Sequence, residues 1–292
     1  MLGAARPPPR SRTFDVSASF LGRRNYNRYA IEDALGSPLA ALSGWTYLSR
    51  AEGKPPPHAG LSLRIHLADS QATVAVRIGP RPLHRRPYRV STRAGSLHPP
   101  VARALALLAG LRPSHRLVDP FCGAGTIPIE AELACRDLDA AGFDLDDGAV
   151  ASARANGAAA GVRASFLRAD AAALPLDDAA VDRVATNPPW GSAAAPAGAL
   201  ASAPGFAWQE LARVLNPAGR AVVLVSPHTR TGEPADAGLE VTLTNRIRVA
   251  GALADACVLT PRGGDGRELD ADALFGPELE REFERSGSDR AP

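Results

Sequence analysis

Apolar residues alternate with polar ones near the amino terminus, then gather into short apolar runs separated by helically spaced segments. Thr13 to Phe20 (TFDVSASF) alternates, which predicts a half-buried strand. Ile31, Ala34 and Leu35 are spaced for a short amphipathic helix that stops at Gly36. Leu61 to Ala68 and Ala72 to Ile78 predict two further strands joined by a turn at Asp69-Ser70-Gln71. Pro99-Pro100 then leads a helix within Leu97 to Leu108.

From Arg116 onward strands and helices are expected to alternate. The predicted strands are Arg116–Val118, Ala140–Phe143, Ser165–Leu167, Val181–Ala185 and Arg220–Ser226. The predicted helices are Ile127–Cys135, Asp147–Ala159 and Phe206–Leu215. Such alternation makes a mostly parallel sheet with helices on its faces. Glu240–Val249 and Ala254–Thr260 finish the chain as two strands without a helix between them, which suits a hairpin edge. The expected fold class is therefore α/β, a Rossmann-like seven-stranded domain preceded by a small α+β module.

The stretch Arg116 to Glu130 (RLVDPFCGAGTIPIE) reads as strand, glycine loop, helix, a nucleotide-type site at the carboxyl end of a parallel strand. Two glycines allow close approach of a ligand, Thr126 is placed to cap the helix, and Pro128 fits its first turn. A dinucleotide fingerprint would need a third glycine where Pro128 stands, and a P-loop would need Gly-Lys-Ser/Thr. Asp119 before the loop suits a ligand carrying an ammonium group, as S-adenosylmethionine (SAM) does. Asp144, 19 residues beyond Gly125, falls where a ribose-binding carboxylate belongs, and Asp170 is placed to accept an adenine amine. The expected cofactor residues are Asp119, Phe121, Gly123, Gly125, Thr126, Asp144 and Asp170.

Val181 to Ala185 runs into Thr186-Asn187-Pro188-Pro189-Trp190-Gly191. An exocyclic amine on a nucleobase is a poor nucleophile because its lone pair is delocalised into the ring. An Asn187 carbonyl and the Pro188 backbone carbonyl would both accept its N–H groups and aim the lone pair at an electrophilic methyl. Pro189 stiffens the turn, and Trp190 offers a face on which a flipped base can stack. These four residues are the expected catalytic set.

Charge divides the chain. Residues 1–116 hold 18 basic side chains against 5 acidic ones, and the remainder 15 against 26. A basic module beside an acidic catalytic half suits a polyanion partner. Arg23, Arg24 and Arg28 are interleaved with Tyr26 and Tyr29, and Arg85, Arg86 and Arg89 cluster before the central helix; these six are the expected RNA contacts. Cys122, Cys135 and Cys257 are scattered, which argues against a disulfide framework or a metal site and fits a cytoplasmic location. No apolar stretch approaches the ~20 residues needed to span a bilayer. Residues 192–205 are almost wholly Ala, Pro, Gly and Ser, either a flap over substrate or an insertion with no role. The expected organisation is a disordered arm (1–12), an RNA-binding module (13–95), a methyltransferase domain (96–261) and a polar tail (262–292).

The order strand, GRRNYNRYAIEDALG, hairpin, LHRRPYR, LHPPVARALALL resembles the RNA-binding THUMP module and the junction after it. Asp119-Pro-Phe-Cys-Gly-Ala-Gly-Thr-Ile-Pro-Ile-Glu together with Asn187-Pro-Pro-Trp-Gly resembles the THUMP-associated guanine-N2 methyltransferases of tRNA and their rRNA relatives. Trp190 stands where Tyr or Phe is usual in that family. The resemblance implies a SAM-dependent enzyme acting on a guanine amine in RNA, tRNA foremost, with no metal and no membrane. Two other readings keep the fold: an adenine-N6 methyltransferase on rRNA or DNA, and a non-catalytic RNA-binding protein.

Overall fold

Local chemistry builds two separate units, Met1–Leu83 and His84–Pro292, in the computed structural model. It describes residues 12–23, 25–51, 53, 60–77, 84–189, 198, 206–227, 232–249 and 251–264. The expected arm, the Ala/Pro-rich stretch apart from Gly198, and the tail beyond residue 264 lie outside the described residues, as do Arg24 and Trp190.

The first unit is a four-stranded sheet carrying one helix. β1 (Thr13–Phe20) lies between β2 (Thr46–Tyr47) and β3 (Leu61–Ala68), parallel to both, and β4 (Gln71–Val76) closes the edge antiparallel to β3. Alternation decides the faces. Phe14, Val16, Leu63 and Ile65 are buried under Ile31 of α1 (Arg28–Ser43). Asp15 is also buried; it pairs with Arg50 and accepts from Ser62 Oγ at 2.7 Å.

α1 does not stop at Gly36. It starts at Asn27, whose side chain accepts the Ala30 N–H at 3.0 Å, and runs to Ser43 before Gly44 turns left-handed at φ 68°. The Tyr47 ring lies against Gly36, 2.3 Å from where a Cβ would stand, so this glycine serves packing rather than termination.

The second unit contains the expected seven-stranded sheet, in the order β10-β11-β9-β8-β5-β6-β7. β5 (Arg116–Asp119), β6 (Asp139–Asp144), β7 (Ser165–Arg168), β8 (Val181–Thr186) and β9 (Leu215–Val225) pair in parallel. β11 (Ala252–Pro261) is antiparallel to both β9 and β10 (Leu239–Val249). Successive residues of a strand face opposite sides, so the central strands are apolar on both. Leu117, Val222 and Leu224 pack with α2 (Pro99–Leu108) and α3 (Thr126–Ala134), whereas Val118, Val184 and Val223 pack beneath Trp208 and Leu211 of α5 (Phe206–Val214). Truncating Leu117, which is fully buried, to Ala would cost about 2–5 kcal/mol.

α4 (Asp147–Ala160) follows β6, but no helix joins β7 to β8. Pro175 interrupts that connection; instead Leu174 tucks into the core, its N–H donating to Glu210 Oε1 at 2.6 Å. A short α6 (Gly232–Asp236) precedes β10. No helix among the described residues is long and apolar enough to cross a membrane.

Candidate active site

Strand order reverses between β5 and β8, which pair side by side although β6 and β7 intervene in sequence. Their carboxyl ends therefore part the following loops and leave a crevice, the usual ligand position in open parallel sheets. Asp119 ends β5 and Thr186 ends β8. Thr186 Oγ1 donates to Asp119 Oδ1 at 2.6 Å, and the Phe121 N–H donates to the same oxygen at 3.1 Å. One carboxylate thus binds the strand leading into Asn187 to the start of the glycine loop.

Asp119 is 1% exposed, and its pKa is pushed from the ordinary 3.8 up to about 7. Burial is the main cause and the nearby Asp144 charge adds to it; the bonds from Thr186 and Phe121 oppose it. Burial likewise pushes the Cys122 thiol up, so the cysteine inside the loop is a packing residue rather than a nucleophile.

The two loop glycines have different tasks. Gly123 takes φ 53°, and a Cβ there would meet nothing within 4 Å, so this part of the backbone borders open space. Gly125 takes φ 77°, but a Cβ there would stand 2.9 Å from the Phe166 ring and 3.0 Å from Ala153. It allows α3 to approach β7 and α4. Gly125 is also the residue from which α3 begins. Thr126 lies inside the helix and does not cap it, because the left-handed glycine already turns the chain into the first turn.

Asp144 closes β6. Its Oδ2 accepts the Gly123 N–H at 2.9 Å and its Oδ1 the Asp146 N–H at 3.0 Å. The carboxylate therefore holds the loop as well as facing its neighbourhood. Asp170 follows β7 and closes a turn by accepting the Ala172 N–H at 3.0 Å. Asn187, Pro188 and Pro189 follow β8 as half-buried irregular chain. The structure thus gathers Asp119, Phe121, Gly123, Asp144, Asp170 and Asn187 at the carboxyl ends of β5 to β8. Among the described residues no group of His, Cys, Asp and Glu could hold a metal ion.

Three polar residues that hold the site were not singled out from the sequence. Glu130, 1% exposed on α3, accepts Arg86 Nε at 2.8 Å and Nη2 at 3.1 Å, and the Tyr88 hydroxyl at 2.7 Å. Asn156, buried on α4, donates to the carbonyls of Ser91 and Ala124 at 2.9 Å each and accepts the Ser91 N–H at 2.9 Å. Thr186 is the third. Together with an Arg93–Asp146 ion pair, Glu130 and Asn156 strap residues 86–93 across α3 and α4, with one bond reaching the glycine loop itself. Two acids, Glu130 and Glu132, inside the otherwise apolar run TIPIEAELA are the available signal.

The arginines divide accordingly. Arg23, Arg28 and Arg85 are exposed, and Arg28 lies 4.7 Å over the Tyr29 ring. Arg86 is held by Glu130, which makes it part of the fold. Arg89 is half-buried.

The family model described as UPF0020, RMKL-like, methyltransferase domain matches residues 86–237. A tRNA (guanine(6)-N2)-methyltransferase from Thermus thermophilus is 36% identical over 183 residues, 61% of this chain and 52% of that protein. The mouse (Mus musculus) U6 snRNA (guanine-N(2))-methyltransferase THUMPD2 is 27% identical over 242 residues, 82% of this chain and 43% of that protein. The crystal structure of TrmN from Thermus thermophilus superposes with a TM-score of 0.66 at 27% identity, covering 86% of this chain and 73% of that one. The chain spans about half, or less, of the length of these two curated relatives.

Proposed function

We infer, for a chain that belongs to the UPF0020 family of RMKL-like methyltransferase domains, that it methylates the N2 amine of a guanine in RNA, tRNA foremost, with SAM as cofactor. The observation that carries this reading is the Thr186–Asp119 hydrogen bond, which ties the Asn187-Pro188-Pro189 turn to the glycine loop. Guanine-N2 chemistry in the named relatives supports the choice of base.

The residues fit that cofactor. Gly123 borders open space, Asp144 and Asp170 lie at the ends of adjacent strands, and Asp119 supplies a buried carboxyl that a cation would stabilise as the anion. Bound there, SAM would supply a methyl group on a sulfonium sulfur. Asp119, Phe121, Gly123, Gly125 and Thr126 would form its loop, Asp144 would accept from ribose hydroxyls, and Asp170 from the adenine amine. Asn187 and the Pro188 carbonyl would accept the N–H groups of the guanine amine and orient its lone pair. That contribution grows as the amine pyramidalises, so it acts on the barrier more than on binding. Pro189 and Trp190 complete this catalytic set. The first unit serves as a THUMP-like RNA-binding module, with Arg23, Arg24 and Arg28 as backbone contacts, and Arg85 and Arg89 at the start of the second unit add to them.

Nucleoside mass spectrometry tests the reading. Purified protein, SAM and total RNA should yield N2-methylguanosine in the tRNA fraction. Methylation confined to adenine N6 would replace it with the adenine reading, and binding of SAM and RNA without transfer would replace it with a non-catalytic one.

A further inference from the structure

The end of the sheet opposite the crevice gathers three arginines. Arg183 of β8 and Arg220 of β9 are direct partners on neighbouring parallel strands. Alternation puts both on the α2 face, since Ala185, Val222 and Leu224 pack on that side. Arg220 is 5% exposed, and a Cβ on Gly110, just past α2, would stand 2.8 Å from its Nη1. Arg112 follows two residues later and is exposed. Like charges directly opposite one another in a sheet are destabilising. Burial, then the Arg220 charge, lowers the Arg183 pKa to about 10, and burial, then Arg112, lowers that of Arg220.

Backbone oxygens answer Arg183. Its guanidinium donates to the carbonyls of Gly110 at 3.1 Å, Asp182 at 2.7 Å and Ala218 at 3.4 Å. Carbonyls past the end of a helix satisfy donors and carry a partial negative charge, but not a full one. The neighbouring Asp182 carboxylate already accepts the Arg116 N–H and the Asn216 amide, each at 2.7 Å. One step past the Leu259–Ala221 pair, Thr260 of β11 comes beside Arg220 on the same face. It is fully buried, and its Oγ1 has no hydrogen-bond partner.

The chain itself returns to this place. β11 runs antiparallel to β9, so it ends beside Arg220. Gly264 then lies so near the Pro217 carbonyl that a Cβ would overlap it, one residue before the Ala218 carbonyl that Arg183 holds. Beyond Gly264 the sequence reads DGRELDAD, four acids against one base. An RNA backbone has a weaker claim, because this end of the sheet lies away from Asp119 and Asn187, where the target base belongs.

We propose that Arg112, Arg183 and Arg220 form a carboxylate-binding site whose ligand is the acidic stretch 265–272 of the same chain. The stretch supplies the full negative charge that the carbonyls lack. This role lies outside methyl transfer and does not depend on it.

Urea denaturation of the full chain tests the site by the sign of the effect. Arg112 is exposed, so Arg112→Gln should fold. If no carboxylate is bound, removing one of three crowded cations relieves repulsion and stabilises the chain. If carboxylates are bound, the same change removes a partner and destabilises it. The unfolding constant should rise about threefold in Arg112→Gln. It should rise about tenfold when Asp265→Asn, Glu268→Gln, Asp270→Asn and Asp272→Asn are combined, since every contact of the stretch is then lost. Adding Arg112→Gln to that variant should cost nothing more, and about 0.5 M salt should shrink each effect. An unchanged or stabilised Arg112→Gln overturns the proposal, as do fully additive losses. If the neutralised stretch keeps wild-type stability while Arg112→Gln weakens tRNA binding, the site belongs to RNA and the proposal also falls.

Discussion

Replacing Asp119 by Asn should make the protein more stable and a poorer binder of SAM. The carboxyl is 1% exposed, and its pKa stands at about 7 against an ordinary 3.8. Below pH about 4 the group is protonated in both the folded and unfolded chain and contributes no penalty. As pH rises from about 4 to about 7 the unfolded chain ionises first, so the folded state loses stability relative to it. Roughly three pKa units at 1.36 kcal/mol each set a ceiling on the order of 4 kcal/mol above pH 7. The amide oxygen that Asp119→Asn introduces can keep the bonds from Thr186 and Phe121, which ask only for an acceptor. The variant should therefore gain on the order of 2–4 kcal/mol at pH 8, and nothing at pH 4.

Urea denaturation of both proteins at the two pH values measures the difference directly. In a unit of this size the gain would raise the melting point by about 5–15 °C. SAM affinity should fall about tenfold, because a neutral amide cannot balance an ammonium or sulfonium charge. Wild-type binding should release protons near pH 7, visible as a buffer-dependent calorimetric enthalpy. Equal stability of the two proteins at pH 8, or the same gain at pH 4, would show that no buried charge is being held. Wild-type affinity for SAM in Asp119→Asn would remove the acid from the cofactor site.

Asn187→Ala should lower the single-turnover rate about 10²-fold and leave SAM affinity unchanged; a wild-type rate with RNA would take the turn out of the chemistry. Glu130→Ala should destabilise the second unit by about 3–5 kcal/mol in urea titrations, since Arg86 and the Tyr88 hydroxyl lose their buried acceptor. Tyr88→Phe, which removes one of those bonds, should lose only about 1–2 kcal/mol.

The order of elements in the second unit was legible because each buried strand is a short apolar run and each helix shows its own spacing. Ends were less legible, for a physical reason. Gly36 looks like a stop signal, yet its missing Cβ makes room for the Tyr47 ring, which arrives from β2, a two-residue strand too short to show a period. Thr126 looks like a cap, yet Gly125 turns the chain first. In both cases a residue has one local meaning in sequence and another once a distant segment packs on it or the backbone turns ahead of it.

The site shows the same limit in its charged residues. Asp119, Asp144 and Asn187 announce themselves because a loop or turn of fixed pattern precedes or contains them. Arg86 does not: in LHRRPYR it is indistinguishable from Arg85 and Arg89, and all three look like RNA contacts. What separates them is Glu130, 44 residues away, which takes Arg86 and Tyr88 into the fold. That contact gives the basic segment two purposes. One arginine fastens the strap against the helix that starts at the glycine loop, while Arg85 stays exposed. A charge-neutralising change at Arg86 would therefore loosen the catalytic unit itself, whereas the same change at Arg85, which is exposed, would leave stability untouched. Reading six arginines as one electrostatic surface would conceal that difference, because electrostatic surfaces tolerate exchange among like charges and a buried carboxylate does not.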